Sequence, residues 1–132
     1  MTHYPVGVLS GVVLDSREPR VLCDFYERLL GWRRTADEPD WCKLMPPEGA
    51  TGLSFQLEPG HQPPVWPTGD QHQMQIHLDF AVRNLPNATE YAVGCGASLA
   101  EWQPQDDVRV LFDPEGHPFC LFLLSPMPDL NM

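Results

Sequence analysis

A chain of 132 residues, 42% hydrophobic and 20% charged, is long enough for one globular domain with a modest core. Its formal net charge of -10, with Arg33-Arg34 as the densest basic stretch, sets it against phosphate backbones and anionic membranes, so nucleic acid and membrane are excluded as partners. The start, Met1-Thr-His-Tyr-Pro-Val6, lacks the basic and long apolar parts of a signal peptide, and Cys23, Cys42, Cys95 and Cys120 show no Cys-x-x-Cys spacing. Reduced thiols and a cytoplasmic location are the expectation.

The first predicted element is a strand over residues 6–14. Asp15 or Ser16 then caps a helix that tolerates Pro19 in its first turn. Val21, Leu22, Phe25, Tyr26 and Leu29 form its apolar stripe, and Gly31 stops it as a left-handed cap. Strands are expected at 32–35, 40–45 and 52–58, divided by turns rich in Pro, Asp and Gly. Ser54, Gln56 and Glu58 share one side of the last of these. Residues 59–73 hold four Pro, two Gly, two His and Trp66 without periodicity, and read as a connection. His61 and His72 are expected to be solvated there, and Trp66 to pack on the domain or fold over a cleft.

The strand with the clearest alternation comes next. Met74, Ile76, Leu78, Phe80 and Val82 alternate with Gln75, His77, Asp79 and Ala81. The apolar set should pack under a helix, leaving His77 and Asp79 on the opposite face. Asn84 caps the following helix, whose stripe is Ala88, Tyr91, Ala92 and Cys95 and whose end is Gly96. Strands at 98–103, 107–112 and 118–124 close the chain, the last two joined by the tight turn Asp113-Pro-Glu-Gly-His-Pro118, where His117 has a turn-stabilising role. Trp32, Trp41 and Trp102 read as packing residues.

Strand, helix and three strands thus occur twice, over 6–58 and 74–124, with 59–73 between them. A two-copy repeat of this length describes an α+β domain of two βαβββ modules rather than a solenoid. Each helix must cover one sheet face, and the polar faces left over make a small-molecule cleft the expected site.

Three motifs carry a family resemblance. They are Asp24-Phe-Tyr-Glu-Arg-Leu-Leu-Gly-Trp32, Gln75-Ile-His-Leu-Asp-Phe-Ala-Val82 and Asp113-Pro-Glu-Gly-His-Pro-Phe-Cys-Leu121. In this order and spacing, over about residues 7–124, the chain resembles the vicinal oxygen chelate superfamily, and within it the single-domain glyoxalase-like, bleomycin-resistance and dioxygenase-related proteins. The resemblance implies two βαβββ modules curled around a cleft and a homodimer. In metal-dependent relatives four inward side chains hold a divalent ion, and these positions map to about Gly11, Gln56, His77 and Cys120. His77 and Gln56 are the metal ligands it implies. Gly11 has no side chain, and Cys120 stands where a glutamate is usual, so a weakly bound divalent ion is expected.

Asp79 offers a substitute ligand or a base, and Glu58 a second proton carrier. A Cys120–His77 nucleophile pair lacks any feature that activates the thiol. Two functions follow. One is a metal-dependent lyase or isomerase, with the ion at His77. The other is a metal-free protein that binds or sequesters an antibiotic-like small molecule. His77, Gln56, Asp79, Glu58, Cys120 and Trp66 would line the site in either case.

Overall fold

The computed structural model describes residues 5–67 and 71–124. Met1–Tyr4, three positions of the connection (68–70) and residues 125–132 lie outside the described residues. The chain divides into two units, one ending at His61 and one starting at Gln62. Among the described residues no helix is long and apolar enough to cross a membrane.

The first unit contains β1 (Gly11–Ser16), α1 (Pro19–Leu30), β2 (Arg33–Glu38), β3 (Trp41–Met45) and β4 (Gly52–Leu57). Its sheet has the order β1-β4-β3-β2. β1 runs parallel to β4, and the other pairs are antiparallel. The first strand starts later than position 6 because its partner does. β4 begins at Gly52, opposite Gly11, and Val6, Val8 and Leu9 are left exposed.

The expected cap at Asp15 or Ser16 also moves. Both residues belong to β1, and Glu18 is the residue before the helix, with Pro19 in its first turn. Ser16 Oγ still accepts the Glu18 N–H at 3.0 Å. Gly31 closes α1 at φ 68°, donating its N–H to Glu27 O, a left-handed conformation that costs a side-chain-bearing residue about 1–2 kcal/mol. Leu22, Phe25 and Tyr26 are buried as the stripe requires, joined by Cys23, while Val21 is exposed. Tyr26 stacks on Phe55 with ring centroids 5.5 Å apart, and Cys42, Leu44 and Leu53 complete this core. The opposite face of β4 is less polar than expected. Ser54 is buried, and only Gln56 and Glu58 are exposed. Arg34 ties α1 to β2 through Asp24 at 2.6 Å and Glu27 at 3.3 Å.

The second unit repeats the topology with β5 (Leu78–Val82), α2 (Leu85–Cys95), β6 (Ser98–Leu99), β7 (Val108–Phe112) and β8 (Pro118–Leu123), in the order β5-β8-β7-β6. Each module is therefore βαβββ with a mixed four-stranded sheet, the α+β architecture expected. β5 is shorter than the alternation over 74–82 suggested. Its parallel partner β8 follows a tight turn, so pairing starts at Leu78↔Phe119. Upstream, Met74 donates its N–H to Val65 O instead, and Ile76 is 65% exposed rather than packed under a helix.

Asn84 caps α2, its side chain accepting the Asn87 N–H at 3.0 Å. Leu85 and Ala92 are the buried contacts of this helix, and Tyr91, expected on its inner stripe, is exposed. The strand expected at 98–103 ends at Leu99. Its continuation is replaced by a side chain: the Gln103 carboxamide accepts the Val110 N–H and donates to Val110 O, both at 2.9 Å.

Candidate functional site

The sheet of the second unit has two unlike faces. One carries Phe80 and Phe119, whose rings meet edge to face at 5.9 Å, on the side where α2 packs. The other carries Asp79, Cys120, Val110 and Ala100. Asp79 lies opposite Cys120 on the paired strands, Cys120 lies opposite Val110, and the Ala100 N–H is donated to Val110 O. Ala100, Val110 and Cys120 form a buried apolar cluster, with Val108, Phe112 and Trp66 packed against it. Val108 and Phe112 sit on this face because period-2 alternation from Val110 puts them there.

Two devices hold Trp66 in place. A bridge between Val65 and Gln73 closes the base of its loop, with Val65 N–H donated to His72 O at 2.6 Å. Behind it, Pro63 lies against Gly116 so closely that a Cβ at Gly116 would stand 2.5 Å from Pro63 Cβ. The turn bearing Gly116 is rigid. Buried Asp113 accepts the backbone N–H groups of Glu115 and His117, and His117 Nδ1 lies 2.8 Å from Asp113 Oδ2. His117 thus belongs to the turn.

Trp66 stacks on His77 with ring centroids 4.6 Å apart and planes 24° from parallel. Trp102 meets Trp66 edge to face at 5.0 Å. His77 Nε2 lies 3.1 Å from Asp79 Oδ1. One ligand atom each from His77, Asp79 and Cys120 lie within 4.8 Å of one another. Burial pushes the Cys120 thiol up to about 11, and its charge interaction and hydrogen bond with Asp79 act in the same direction. The thiol is therefore protonated at neutral pH. It is a poor nucleophile there, in keeping with the lack of an activating feature in the sequence.

Of the residues expected to line a site, the structure brings together His77, Asp79, Cys120 and Trp66. Gln56 and Glu58 belong to the first unit, at and just beyond the end of β4. Trp102, read as a packing residue, packs edge to face on Trp66 and extends its aromatic surface. The only local hint was a tryptophan in a segment that loses its strand after Leu99. His61, expected to be solvated, is buried, its carbonyl accepting from Arg17 Nε at 2.8 Å. A separate depression of about 380 Å³, lined by Pro86, Thr89, Glu90, Val93 and Arg109, lies beside α2 and contains none of these residues.

The sequence model of the glyoxalase-like domain family matches residues 11–122, which is most of the chain. The chain belongs to this family. Among curated proteins no sequence match was found. Solved structures with the same fold include a glyoxalase/bleomycin resistance protein/dioxygenase family enzyme from Burkholderia phytofirmans PsJN, at TM-score 0.68 and 18% identity over 89% of this chain and 98% of that one. A glyoxalase-related enzyme from Fulvimarina pelagi gives TM-score 0.68 and 16% identity over 93% and 92%. TnmS3, an antibiotic-binding protein from Streptomyces sp. CB03234, gives TM-score 0.61 and 16% identity over 93% and 100%. At these identities the likeness is one of fold, the vicinal oxygen chelate fold, which hosts both enzymes and binders.

The four positions the fold implies for a divalent ion fit poorly as a set. Gly11 contributes no side chain, and Cys120 contributes a thiol where hard ions prefer oxygen. His77 and Cys120 gain a third neighbour that the family pattern did not supply, Asp79.

Proposed function

We propose that this glyoxalase-like protein binds an amphipathic small molecule with a planar apolar part, on the Trp66-covered face of its second module. The observation that carries the reading is the Trp66–His77 stack, edged by Trp102 and set over the Ala100, Val110 and Cys120 cluster. An aromatic surface beside a small convergent polar group is the usual composition of a small-molecule site. His77 and Asp79 supply the polar part. The antibiotic-binding neighbour TnmS3 is a precedent for sequestration on this fold. Four free thiols suit a reducing cytoplasm. A homodimer is part of the proposal, and light scattering that gives a monomer mass over a wide concentration range would remove it.

A second reading is favoured by the grouping of His77, Asp79 and Cys120. In it the protein is a divalent-metal-dependent lyase or isomerase: an ion held by that group would polarise a substrate oxygen, and Asp79 would move a proton.

The test is a tryptophan-fluorescence and thermal-shift screen of aromatic amphipathic compounds against the metal-stripped protein. A hit that loses at least tenfold affinity in both Trp66→Ala and His77→Ala supports the binding reading. A hit whose affinity is unchanged in both variants refutes this location. Binding that appears only after a divalent ion is restored favours the second reading.

A further inference from the structure

We propose that the depression beside α2 is a second small-molecule site, and that it takes a zwitterion with an apolar side chain, the class of a free hydrophobic α-amino acid. It lies within the second module, on the sheet face opposite the Cys120 cluster, and it stands independently of the reading given for the Trp66 face.

One helix face and one strand residue build the site. Pro86, Thr89, Glu90 and Val93 are spaced i, i+3, i+4 and i+7 along α2, so they share one side of the helix. Arg109 meets them from β7, on the face away from Val110 because successive strand residues alternate. The space they border is about 380 Å³, within the range of about 300–1,000 Å³ for small-molecule sites.

The two charges of the site are fixed but unpaired. Arg109 Nη1 donates to the carbonyl oxygens of Gln105, Asp106 and Val108, at 3.3, 3.2 and 2.8 Å. These bonds hold the guanidinium in place. Its Nε and Nη2 edge, which takes a carboxylate side-on, has no partner among the described residues. Glu90 likewise makes no hydrogen bond or ion pair among the described residues. An acid and a base therefore border one space without pairing with each other. Thr89 Oγ1 gives its proton to Leu85 O at 2.7 Å, so toward a ligand it acts as an acceptor.

Charge decides the class of ligand. A carboxylate alone gains Arg109 but meets Glu90 and a chain of net charge -10. An ammonium alone gains Glu90 but meets Arg109. A ligand that carries both groups satisfies both walls, and Thr89 Oγ1 adds an acceptor for its ammonium. The remaining wall sets the side chain. Val93 and Pro86 are exposed to water, and an apolar side chain lying across them removes all three from it.

The experiment follows the backbone amide NMR shifts of the full chain during titration with L-phenylalanine, glycine, hydrocinnamate or phenethylamine at millimolar concentrations. The expected result is a saturable shift of the Thr89, Glu90, Val93 and Arg109 amides with L-phenylalanine, and binding at least fivefold weaker for each of the other three probes. Glu90→Gln should weaken L-phenylalanine at least fivefold, and Glu90→Lys should make hydrocinnamate the tighter of the two. Arg109→Gln should also weaken L-phenylalanine at least fivefold. Arg109 ties down its own turn, so the exposed Glu90 carries the test if Arg109→Gln fails to fold. The proposal is overturned if L-phenylalanine moves none of these amides, or if its shifts fall at Trp66 and His77 instead. It is equally overturned if hydrocinnamate or phenethylamine binds the native chain as tightly, or if Glu90→Gln binds L-phenylalanine unchanged.

Discussion

Replacing Trp66 with Ala tests whether the connecting segment is held on the second module. The side chain is partly buried against Ala100, Val110 and Cys120 and makes two ring contacts, with His77 at 4.6 Å and Trp102 at 5.0 Å. About two-thirds or more of the tryptophan surface, roughly 150 Å², is removed from water, worth about 4 kcal/mol at about 25 cal/mol per Å². Two aromatic pairs add about 0.5–1.5 kcal/mol each. The sum is an upper bound, because the unfolded chain already covers part of this surface. The net expectation is a loss of about 2–4 kcal/mol, within or just below the range for large aromatic truncations. Urea denaturation followed by far-ultraviolet circular dichroism measures it. The double variant Trp66→Ala/Trp102→Ala should cost less than the sum of the two single changes, since they share one contact. A change below about 0.5 kcal/mol for Trp66→Ala would refute the packing, and with it the aromatic surface on which the proposed function rests.

Three further outcomes are expected. Phe25→Ala removes a fully buried ring in edge contact with Tyr26 at 4.8 Å and should cost about 3–5 kcal/mol by chemical denaturation; a loss under 1 kcal/mol would contradict the first-module core. Gly116→Ala forces a side chain onto a residue at φ 88° and against Pro63, so it should cost at least about 1–2 kcal/mol and shift the Trp66 fluorescence, and an unchanged spectrum and stability would refute the anchoring role of that turn. Stability should fall as pH rises above about 9. Burial, the largest cause, moves the Cys23 thiol to about 12 and the Cys120 thiol to about 11 from an ordinary 9.0. In that window the unfolded chain has lost protons that the folded chain keeps, so each thiol lowers stability by up to about 1.4 kcal/mol per pH unit, and below pH 9 its contribution is fully present. A denaturation midpoint flat between about pH 8.5 and pH 10.5, or unaltered in slope by Cys23→Ala, would exclude this linkage.

The fold was legible where a rule is local. Gly31 and Asn84 announce helix ends by their own conformational chemistry, and both occupy those positions. Alternation around Phe80 separates His77 and Asp79 from the helix-covered face without knowledge of any partner strand. Strand lengths were less legible, because they depend on residues far away in sequence. β1 waits for Gly52, and β5 waits for Phe119. The strand expected to reach residue 103 was cut short by the Gln103 side chain, a substitution of carboxamide for backbone that period-2 patterning does not encode. His61 looked like a loop residue and is buried, because the Arg17 guanidinium fastens its carbonyl.

The candidate site turns on a register that no motif states. Aligning the family pattern put Cys120 in the same ligand set as His77, and by that measure Cys120 was a poor replacement for a carboxylate. Parallel pairing instead sets Asp79 directly opposite Cys120. A carboxylate is therefore present beside the thiol, contributed by the neighbouring strand. The protonated thiol hydrogen-bonds to Asp79, and burial, the larger cause, together with that carboxylate opposes its ionisation. The buried, protonated thiol with Ala100 and Val110 gives the face under Trp66 an apolar floor, and Asp79 gives it one polar edge, the composition the proposed small-molecule site needs.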